Sequence, residues 1–192
     1  MKILLHICCG NCAAYPFKLL QEERHDYSGF WFNPNIHPYE EYSLRLDSLK
    51  ELAGRWFVKM HYTEDYDPAE YFKMFGIDDL SGVDHVEEAN NVERAERCKM
   101  CYKLRLEKTA EKVCQNGFDA FSTTLLISPY QDFEEIAATG KELAEKYNIL
   151  FYVKDFRPHF RKSQAMAKEL GLYRQKYCGC IFSREERRMA LR

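Results

Sequence analysis

The chain has 192 residues, of which 46% are hydrophobic and 30% are charged, and its formal net charge is −2. This composition is that of one ordinary globular domain and excludes a disordered or low-complexity chain. No run of 18 apolar residues is present, which excludes a transmembrane helix, and the apolar stretch at residues 3–7 is too short for a signal peptide. We therefore expect a cytoplasmic protein that does not associate with membranes.

Short apolar runs alternate with helical patterns along the whole chain. The apolar runs predict strands at residues 2–7, 27–33, 57–62, 118–124 and 150–153. Helices are predicted at residues 13–23, 39–55, 67–75, 92–115, 128–147, 161–170 and 182–191, with Ser128 capping the fifth of them in a capping box with Gln131. Residues 76–91 are acidic and irregular, which indicates a surface insertion, and residues 172–181 are predicted to be a loop.

Alternating strands and helices predict an α/β fold with a parallel sheet and right-handed crossovers. In such sheets, ligands bind at the carboxyl ends of the strands. Three polar or cysteine-rich segments follow the first, second and fourth predicted strands, at residues 8–12, 33–37 and 123–128. We therefore expect these segments to converge on one edge of the sheet and form one site.

Eight cysteines are present, and seven of them fall into three closely spaced groups. In a reducing compartment such groups bind metal or carry out redox chemistry more often than they form disulfides. The first group, Cys8, Cys9 and Cys12, is placed where a strand turns into a helix. Free backbone N–H groups and the positive end of the helix dipole favour thiolates there.

The second group is Cys98 and Cys101, whose spacing puts both sulfurs on one helix face, and the third is Cys178 and Cys180 around Gly179. The isolated Cys114 is interpreted as structural. Seven cysteines exceed the four ligands of a structural zinc or of one cubane cluster. The surplus is compatible with a second metal, with a redox-active thiol pair, or with a cluster iron that no cysteine ligates. The spacing alone does not assign cysteines to these roles.

Basic residues are concentrated in the last part of the chain. Residues 141–192 contain 13 lysines and arginines against 6 acidic residues, while the first 140 residues carry an excess of negative charge. Such an asymmetry is typical of a surface that meets an anionic partner such as RNA, although solvated helix faces would also produce it. The candidate RNA contacts are Arg157, Arg161, Lys162, Arg174, Lys176, Arg184 and Arg187.

The order of the motifs resembles that of the QueH-type epoxyqueuosine reductases. The matching segments are Cys8-Cys9-Gly10-Asn11-Cys12, residues 32–38 with Glu41, Tyr42 and Arg45, residues 97–102 with Arg105 and Leu106, residues 121–130, and Tyr173 to Cys180. Each segment alone is weakly specific, whereas the combination in this order is highly specific. The first loop has Gly-Asn between its cysteines, where Ala-Pro is the more common pair in the family, and every thiol remains in place.

The resemblance implies reduction of epoxyqueuosine in tRNA to queuosine by iron–sulfur chemistry, with a 4Fe-4S cluster, an external electron donor and no cobalamin. It further implies a single domain with a three-layer parallel sheet like the HUP and PP-loop-like nucleotide-binding folds. The first loop lacks the Ser-Gly-Gly phosphate-binding pattern of the ATP-using relatives of that fold, so no ATP chemistry is expected. An additional iron beside the cluster, held by surplus cysteines, is one hypothesis for the mechanism.

Four polar residues near the expected site are candidates for catalysis. Asn33 and His37 follow the second strand, where they are placed to contact substrate or metal, although turn formation explains Asn33 equally well. Thr123 is a candidate for substrate binding, with strand packing as the alternative. Asp132 is a candidate proton donor or metal ligand, or it only complements a helix dipole.

Two other classes of function compete with an iron–sulfur reductase. A zinc-binding module would need four cysteines, and seven exceed that number. A thiol–disulfide oxidoreductase would need one exposed Cys-x-x-Cys pair, which leaves the first and third groups unexplained. Absorbance separates the classes, because an iron–sulfur cluster is brown and zinc is colourless.

Overall fold

Five parallel strands form the sheet of this computed structural model, which describes residues 1–63, 65–77 and 92–190. The strand order is β3-β2-β1-β4-β5, the order of doubly wound nucleotide-binding sheets. The strands are β1 (Lys2–His6), β2 (Asp26–Trp31), β3 (Met60–Tyr62), β4 (Ala120–Thr123) and β5 (Leu150–Phe151). The helices are α1 (Gly10–Glu22), α2 (Tyr39–Trp56), α3 (Ala69–Lys73), α4 (Arg94–Asn116), α5 (Phe133–Tyr147), α6 (Phe160–Glu169) and α7 (Ile181–Ala190).

The central strand β1 is apolar on both faces because helices cover both sides of the sheet. Ile3 and Leu5 pack in one core with α1, α2 and α6, whereas Leu4 packs in the other core with α4 and α5. The three residues are completely buried. Strand β1 pairs with β2 on one side and β4 on the other, so the carboxyl ends of these three strands are adjacent. The α/β class, the parallel sheet and the three layers are therefore confirmed.

The start of α5 was wrongly predicted. The helix begins at Phe133, and its N-cap is Asp132, whose Oδ1 accepts a hydrogen bond of 3.0 Å from the backbone N–H of Glu135. A short 3₁₀ helix at Thr124–Ile127 and a turn precede it, and the Ser128 hydroxyl accepts a bond from the N–H of Tyr130 within that turn. The capping-box pattern at Ser128 therefore forms a turn, and a carboxylate four residues later caps the helix.

Two other boundaries differ from the sequence expectation by three residues, and the remaining ones by two at most. Helix α1 begins at Gly10 instead of residue 13, so Cys12 lies in its first turn. Strand β3 begins at Met60 instead of residue 57, because Phe57 is the left-handed C-cap of α2 and is 95% exposed. The predicted acidic insertion at residues 76–91 falls almost wholly outside the described residues, as does the predicted end of the last helix at residue 191.

Candidate metal centre

Three cysteines lie where β1 turns into α1. Cys9 is the N-cap of the helix, and its sulfur accepts a hydrogen bond of 3.4 Å from the backbone N–H of Cys12. The sulfurs of Cys8 and Cys9 are 3.9 Å apart, and the three sulfurs all lie within 4.8 Å of one another. Over the described residues, no other group of three histidine, cysteine or acidic side chains is this close. The three residues, here called the cysteine trio, are spaced as ligands of one metal ion.

The pKa values of the three thiols of the trio are shifted in different directions. Hydrogen bonds from Cys12 and Cys9, aided by Thr124, hold the pKa of Cys8 well below its usual value. Burial raises the pKa of Cys9, and the hydrogen bond to Cys8 raises the pKa of Cys12. Cys8 is thus the most acidic thiol of the trio, and binding a cation to these cysteines would displace their protons.

Polar side chains from distant segments fix the trio. Thr124 donates a hydrogen bond of 3.3 Å to the sulfur of Cys8, and its Oγ1 accepts one of 3.0 Å from the backbone N–H of that cysteine. Gln175 donates a bond of 3.0 Å to the sulfur of Cys9 and accepts one from Asn11. The segment before α7 therefore contacts the loop after β1 directly.

The remaining grouped cysteines line one cavity, whose lining does not include the trio. Cys98 and Cys101 are in the first two turns of α4, and Cys178 and Cys180 come from the loop that leads into α7. Burial raises the pKa of Cys101 to about 12. These four thiols, here called the cysteine quartet, surround a cavity and are more widely spaced than the trio, which suits a cluster of several irons better than a single ion.

The loop of the quartet is anchored by a buried arginine of α2. Arg45 donates hydrogen bonds of 2.9 Å to the carbonyl oxygens of Tyr177 and Cys178, and its Nε pairs with Glu41 at 2.7 Å. The second carboxylate oxygen of Glu41 accepts a bond of 2.6 Å from Tyr173. Gly179 has a φ of +122°, and a Cβ there would lie 2.8 Å from Arg45 Nη1, so a side chain does not fit.

The predicted convergence of three strand ends is present in the structure. The Asn33 amide donates a hydrogen bond of 2.8 Å to the carbonyl of Ile7, linking the loop after β2 to the end of β1. His6 lies between β2 and β4, with Nδ1 2.9 Å from Thr123 Oγ1 and Nε2 3.2 Å from the carbonyl oxygen of Phe32. Burial, together with the charge of Arg105, lowers the pKa of His6 to about 4, so the ring is neutral at pH 7.

The four predicted catalytic residues have different surroundings. Asn33 is buried beside the site, and its Oδ1 has no hydrogen-bond partner among the described residues. The hydroxyl of Thr123 bonds to His6 and to the N–H of Leu125. His37 lies near Tyr66, and its carbonyl accepts a bond from Tyr177. Asp132 is exposed and caps α5. Catalytic roles for the four stay predictions.

Sequence reasoning missed two residues at this site. Gln175 bonds to the trio from a predicted loop within the family-like segment Tyr173 to Cys180, but the sequence assigned this glutamine no role at the site. Tyr71 of α3 is 1% exposed and lines the quartet cavity with Cys180. Tyr71 is remote from these cysteines in the sequence, so no local pattern indicated that it lies at the site.

The basic residues proposed for RNA lie at the surface. Arg161 and Lys162 are exposed at the start of α6, close to Tyr130, which is 75% exposed and meets the ring of Phe160 edge to face. Arg157 pairs with Asp155. The others, Arg174, Lys176, Arg184 and Arg187, lie in the loop before α7 or on that helix. In the described part of the chain, no helix is long and apolar enough to cross a membrane.

Comparison with known proteins gives a consistent result. Residues 3–186 match the family described as "Epoxyqueuosine reductase QueH". A protein of that name from Dehalococcoides mccartyi is 36% identical over 186 residues, which cover 97% of this chain and 94% of the relative. Another from Thermotoga maritima is 35% identical over 191 residues, which cover 97% and 92%.

Among solved structures, a predicted subunit of tRNA methyltransferase from Methanocaldococcus jannaschii is similar with a TM-score of 0.56. Its sequence identity is 14%, and the match covers 88% of this chain and 75% of that chain. At this identity the similarity shows the fold alone.

Proposed function

The chain belongs to the QueH family of epoxyqueuosine reductases, and on that premise we propose that it reduces epoxyqueuosine in tRNA to queuosine by iron–sulfur chemistry. The protein is accordingly an oxidoreductase. The observation that carries the iron–sulfur part is the grouping of seven thiols into a tight trio and a wider quartet at one edge of the sheet.

The thiols fit a cluster by number and by chemistry. The quartet, Cys98, Cys101, Cys178 and Cys180, supplies the four thiolates that a 4Fe-4S cluster takes. The trio, Cys8, Cys9 and Cys12, would hold one additional iron, because its sulfurs are close enough for a single ion. When bound, the iron would supply single electrons and a Lewis-acidic position for the epoxide oxygen.

The reaction requires electrons, protons and a dry site. Converting the epoxide to an alkene breaks both carbon–oxygen bonds and takes two electrons from the external donor and two protons, and the oxygen leaves as water. The protein's own contribution would be to bind the epoxide beside the quartet. The buried Asn33 is the candidate to orient the substrate, and His37 and Thr123 are further candidates. Asp132, at the exposed start of α5, is the candidate proton donor.

The tRNA would bind over the surface that carries Tyr130 and the start of α6. Exposed cations at Arg161 and Lys162 suit contacts with phosphates, and the exposed ring of Tyr130 suits stacking on an unpaired base. Single-stranded loops expose their bases, so an anticodon loop presents the chemistry that this surface recognises.

Two alternative functions predict different metal contents. A zinc-binding module would use four thiols and leave the trio, which is held by Thr124 and Gln175, without a purpose. A thiol–disulfide oxidoreductase would use only one pair. Both alternatives predict a colourless protein after reconstitution with iron and sulfide.

The decisive experiment uses anaerobically reconstituted protein, a chemical reductant and tRNA that carries epoxyqueuosine. Mass analysis of the digested nucleosides should show loss of one oxygen from the modified base. Cys98→Ser should abolish this conversion, whereas Cys114→Ser should not, because Cys114 is exposed near the end of α4. A colourless, zinc-loaded protein without conversion, or full activity in Cys98→Ser, would overturn the proposal.

A further inference from the structure

Arg105 of α4 is a buried cation without a carboxylate partner among the described residues, and the ionisable groups that raise its pKa most are thiols, Cys101 first. It is 2% exposed, and its Nε donates a hydrogen bond of 3.2 Å to the carbonyl oxygen of Cys101. Its Nη2 is buried and has no hydrogen-bond partner, and within the described ranges no carboxylate oxygen lies within 4.0 Å of the guanidinium. Arg45, buried equally deeply, has the carboxylate of Glu41 at 2.7 Å.

Asn35 is a second unsatisfied group in the same place. It is 1% exposed, and neither its amide nitrogen nor its amide oxygen has a partner among the described residues. Asn35 and Arg105 line one cavity together with the four thiols of the quartet. The unpartnered Nη2 of Arg105 and the unpartnered amide of Asn35 therefore belong to side chains that line a cavity with four thiols. The lining also includes polar side chains such as Gln131, Ser183 and Glu186, and Glu186 pairs with Arg94 and Arg97.

Burial without a partner is unfavourable for both groups. Taking a guanidinium out of water destabilises the folded chain unless an opposite charge is nearby, and a buried amide without hydrogen bonds is also costly. Thiolates and bridging sulfides bound to iron would supply the missing negative charge and hydrogen-bond acceptors. A cluster bound in the cavity would therefore stabilise these side chains.

We infer that Arg105 and Asn35 compensate the negative charge of the cluster that the quartet holds and set its reduction potential. This inference rests on the proposed function. The positive charge of Arg105 favours the more negative, reduced state, and N–H donors to sulfur act in the same direction. Arg105 and Asn35 are thus positioning residues for the cluster.

The first test is a redox titration of the reconstituted protein, followed by absorbance. Arg105→Gln should lower the potential so that the ratio of reduced to oxidised cluster at a fixed potential falls at least about tenfold, which is 59 mV for a one-electron couple. Arg105→Lys should remain close to the wild type because the charge is kept. Asn35→Leu should shift the potential in the same direction as Arg105→Gln, but less.

The control is Arg94→Gln. Arg94 lines the same cavity, but its side chain is 68% exposed, so solvent screens its charge. Its removal should leave the potential unchanged. Equal shifts in Arg94→Gln and Arg105→Gln, or no shift in Arg105→Gln, would overturn the inference. A raised KM for tRNA with an unchanged potential would mean that Arg105 binds substrate, and would overturn it as well.

The second test measures melting temperatures, first of the iron-free proteins and then after reconstitution. In the iron-free protein Arg105→Gln should raise the melting temperature by about 2–4 °C or more, because an unpaired buried cation is removed. The same change should reduce the gain in melting temperature that reconstitution gives the wild type. A structural role alone would lower the melting temperature in both states, and that result would contradict the inference.

Different results would contradict the proposed function and the inference about Arg105 and Asn35. If the wild type takes up no iron–sulfur cluster, the proposed function fails first. If the wild type is loaded and the potential of Arg105→Gln is unchanged, the inference about Arg105 and Asn35 fails while the proposed function remains.

Discussion

Arg45 holds the carbonyl oxygen of Cys178 at 2.9 Å from its Nη1, so a side chain of α2 fixes the loop that carries half of the cysteine quartet. The arginine is itself fixed by Glu41, one helical turn earlier. The proposed cluster ligand Cys178 is therefore positioned by an ion pair whose residues do not line the cavity.

Arg45→Met should destabilise the protein and impair metal retention. The change leaves the carboxylate of Glu41 buried without its partner, which should lower the free energy of unfolding by about 3–5 kcal/mol. Arg55→Met is a matched control, because Arg55 pairs with Glu51 on the same helix with the same spacing but is 45% exposed. Its cost should stay below about 1 kcal/mol. Denaturant unfolding of the iron-free proteins measures both, and equal losses would refute the role of Arg45.

Gly179→Ala should weaken the attachment of Arg45 to the loop that carries Cys178 and Cys180. A methyl group there would collide with the Arg45 guanidinium in a backbone conformation that alanine disfavours, at a cost of about 1–3 kcal/mol. Iron per chain after reconstitution should fall with it. Gly171→Ala also places alanine at a positive φ, +70°, but its methyl group would meet no atom within 4 Å, so this variant should lose some stability and keep its iron. Full iron binding in Gly179→Ala would show that the loop tolerates the side chain.

Counting iron and acid-labile sulfide should separate the two cysteine sets. Cys180→Ser, in the quartet, should lose iron and sulfide together, because a cluster contains both. Cys12→Ser, in the trio, should lose iron while sulfide stays at the wild-type level. A parallel loss of sulfide in Cys12→Ser would mean that trio and quartet share a single cluster.

The neutral His6 predicts a loss of stability in acid. Its pKa in the folded protein is about 4, below the ordinary value of 6.5, so the unfolded chain takes up the proton first as the pH falls. The contribution of His6 is fully present above pH 6.5 and is lost between pH 6.5 and 4, by about 3 kcal/mol in total. Unfolding of the iron-free protein across this range should show a flatter pH dependence in His6→Gln, and an unchanged slope would contradict the assignment.

Binding of tRNA should depend on salt through the start of α6. If Arg161 and Lys162 each contact a phosphate, replacing both by glutamine should reduce the slope of log Kd against log salt by roughly 1.4–1.8. Lys108→Gln is a control on α4, where the lysine is paired with Glu111. An identical slope in the double variant would place the tRNA on another surface.

The sequence alone predicts the fold and the convergence of the strand ends. Alternating strands and helices imply parallel strands, and each motif directly follows a predicted strand. The sequence does not predict that the four thiols of the quartet lie around one cavity. The quartet combines a helix face with a loop about 80 residues later in the chain, and only the packing of α4 and α7 brings Cys101 and Cys180 to one cavity. The i,i+4 pair of Glu41 and Arg45 is visible in the sequence, whereas its burial is not.

The error at Ser128 has a physical cause. Ser128 and Gln131 satisfy the local rule for a capping box. A 3₁₀ helix precedes them, however, and they lie in a turn, so no α-helix begins at Ser128. Gln131 instead accepts a hydrogen bond from Tyr102 and donates one of 3.5 Å to the sulfur of Cys178. A tertiary contact at the site thus outweighs a local preference.

The cysteine groups come from segments that are remote along the chain, and bound iron would join them only in the folded state. Ligand binding to the native state alone shifts the folding equilibrium by mass action. The fraction of unfolded chains available to proteases would then rise when iron is scarce. Cellular abundance of this protein would therefore follow iron supply, without any dedicated sensor.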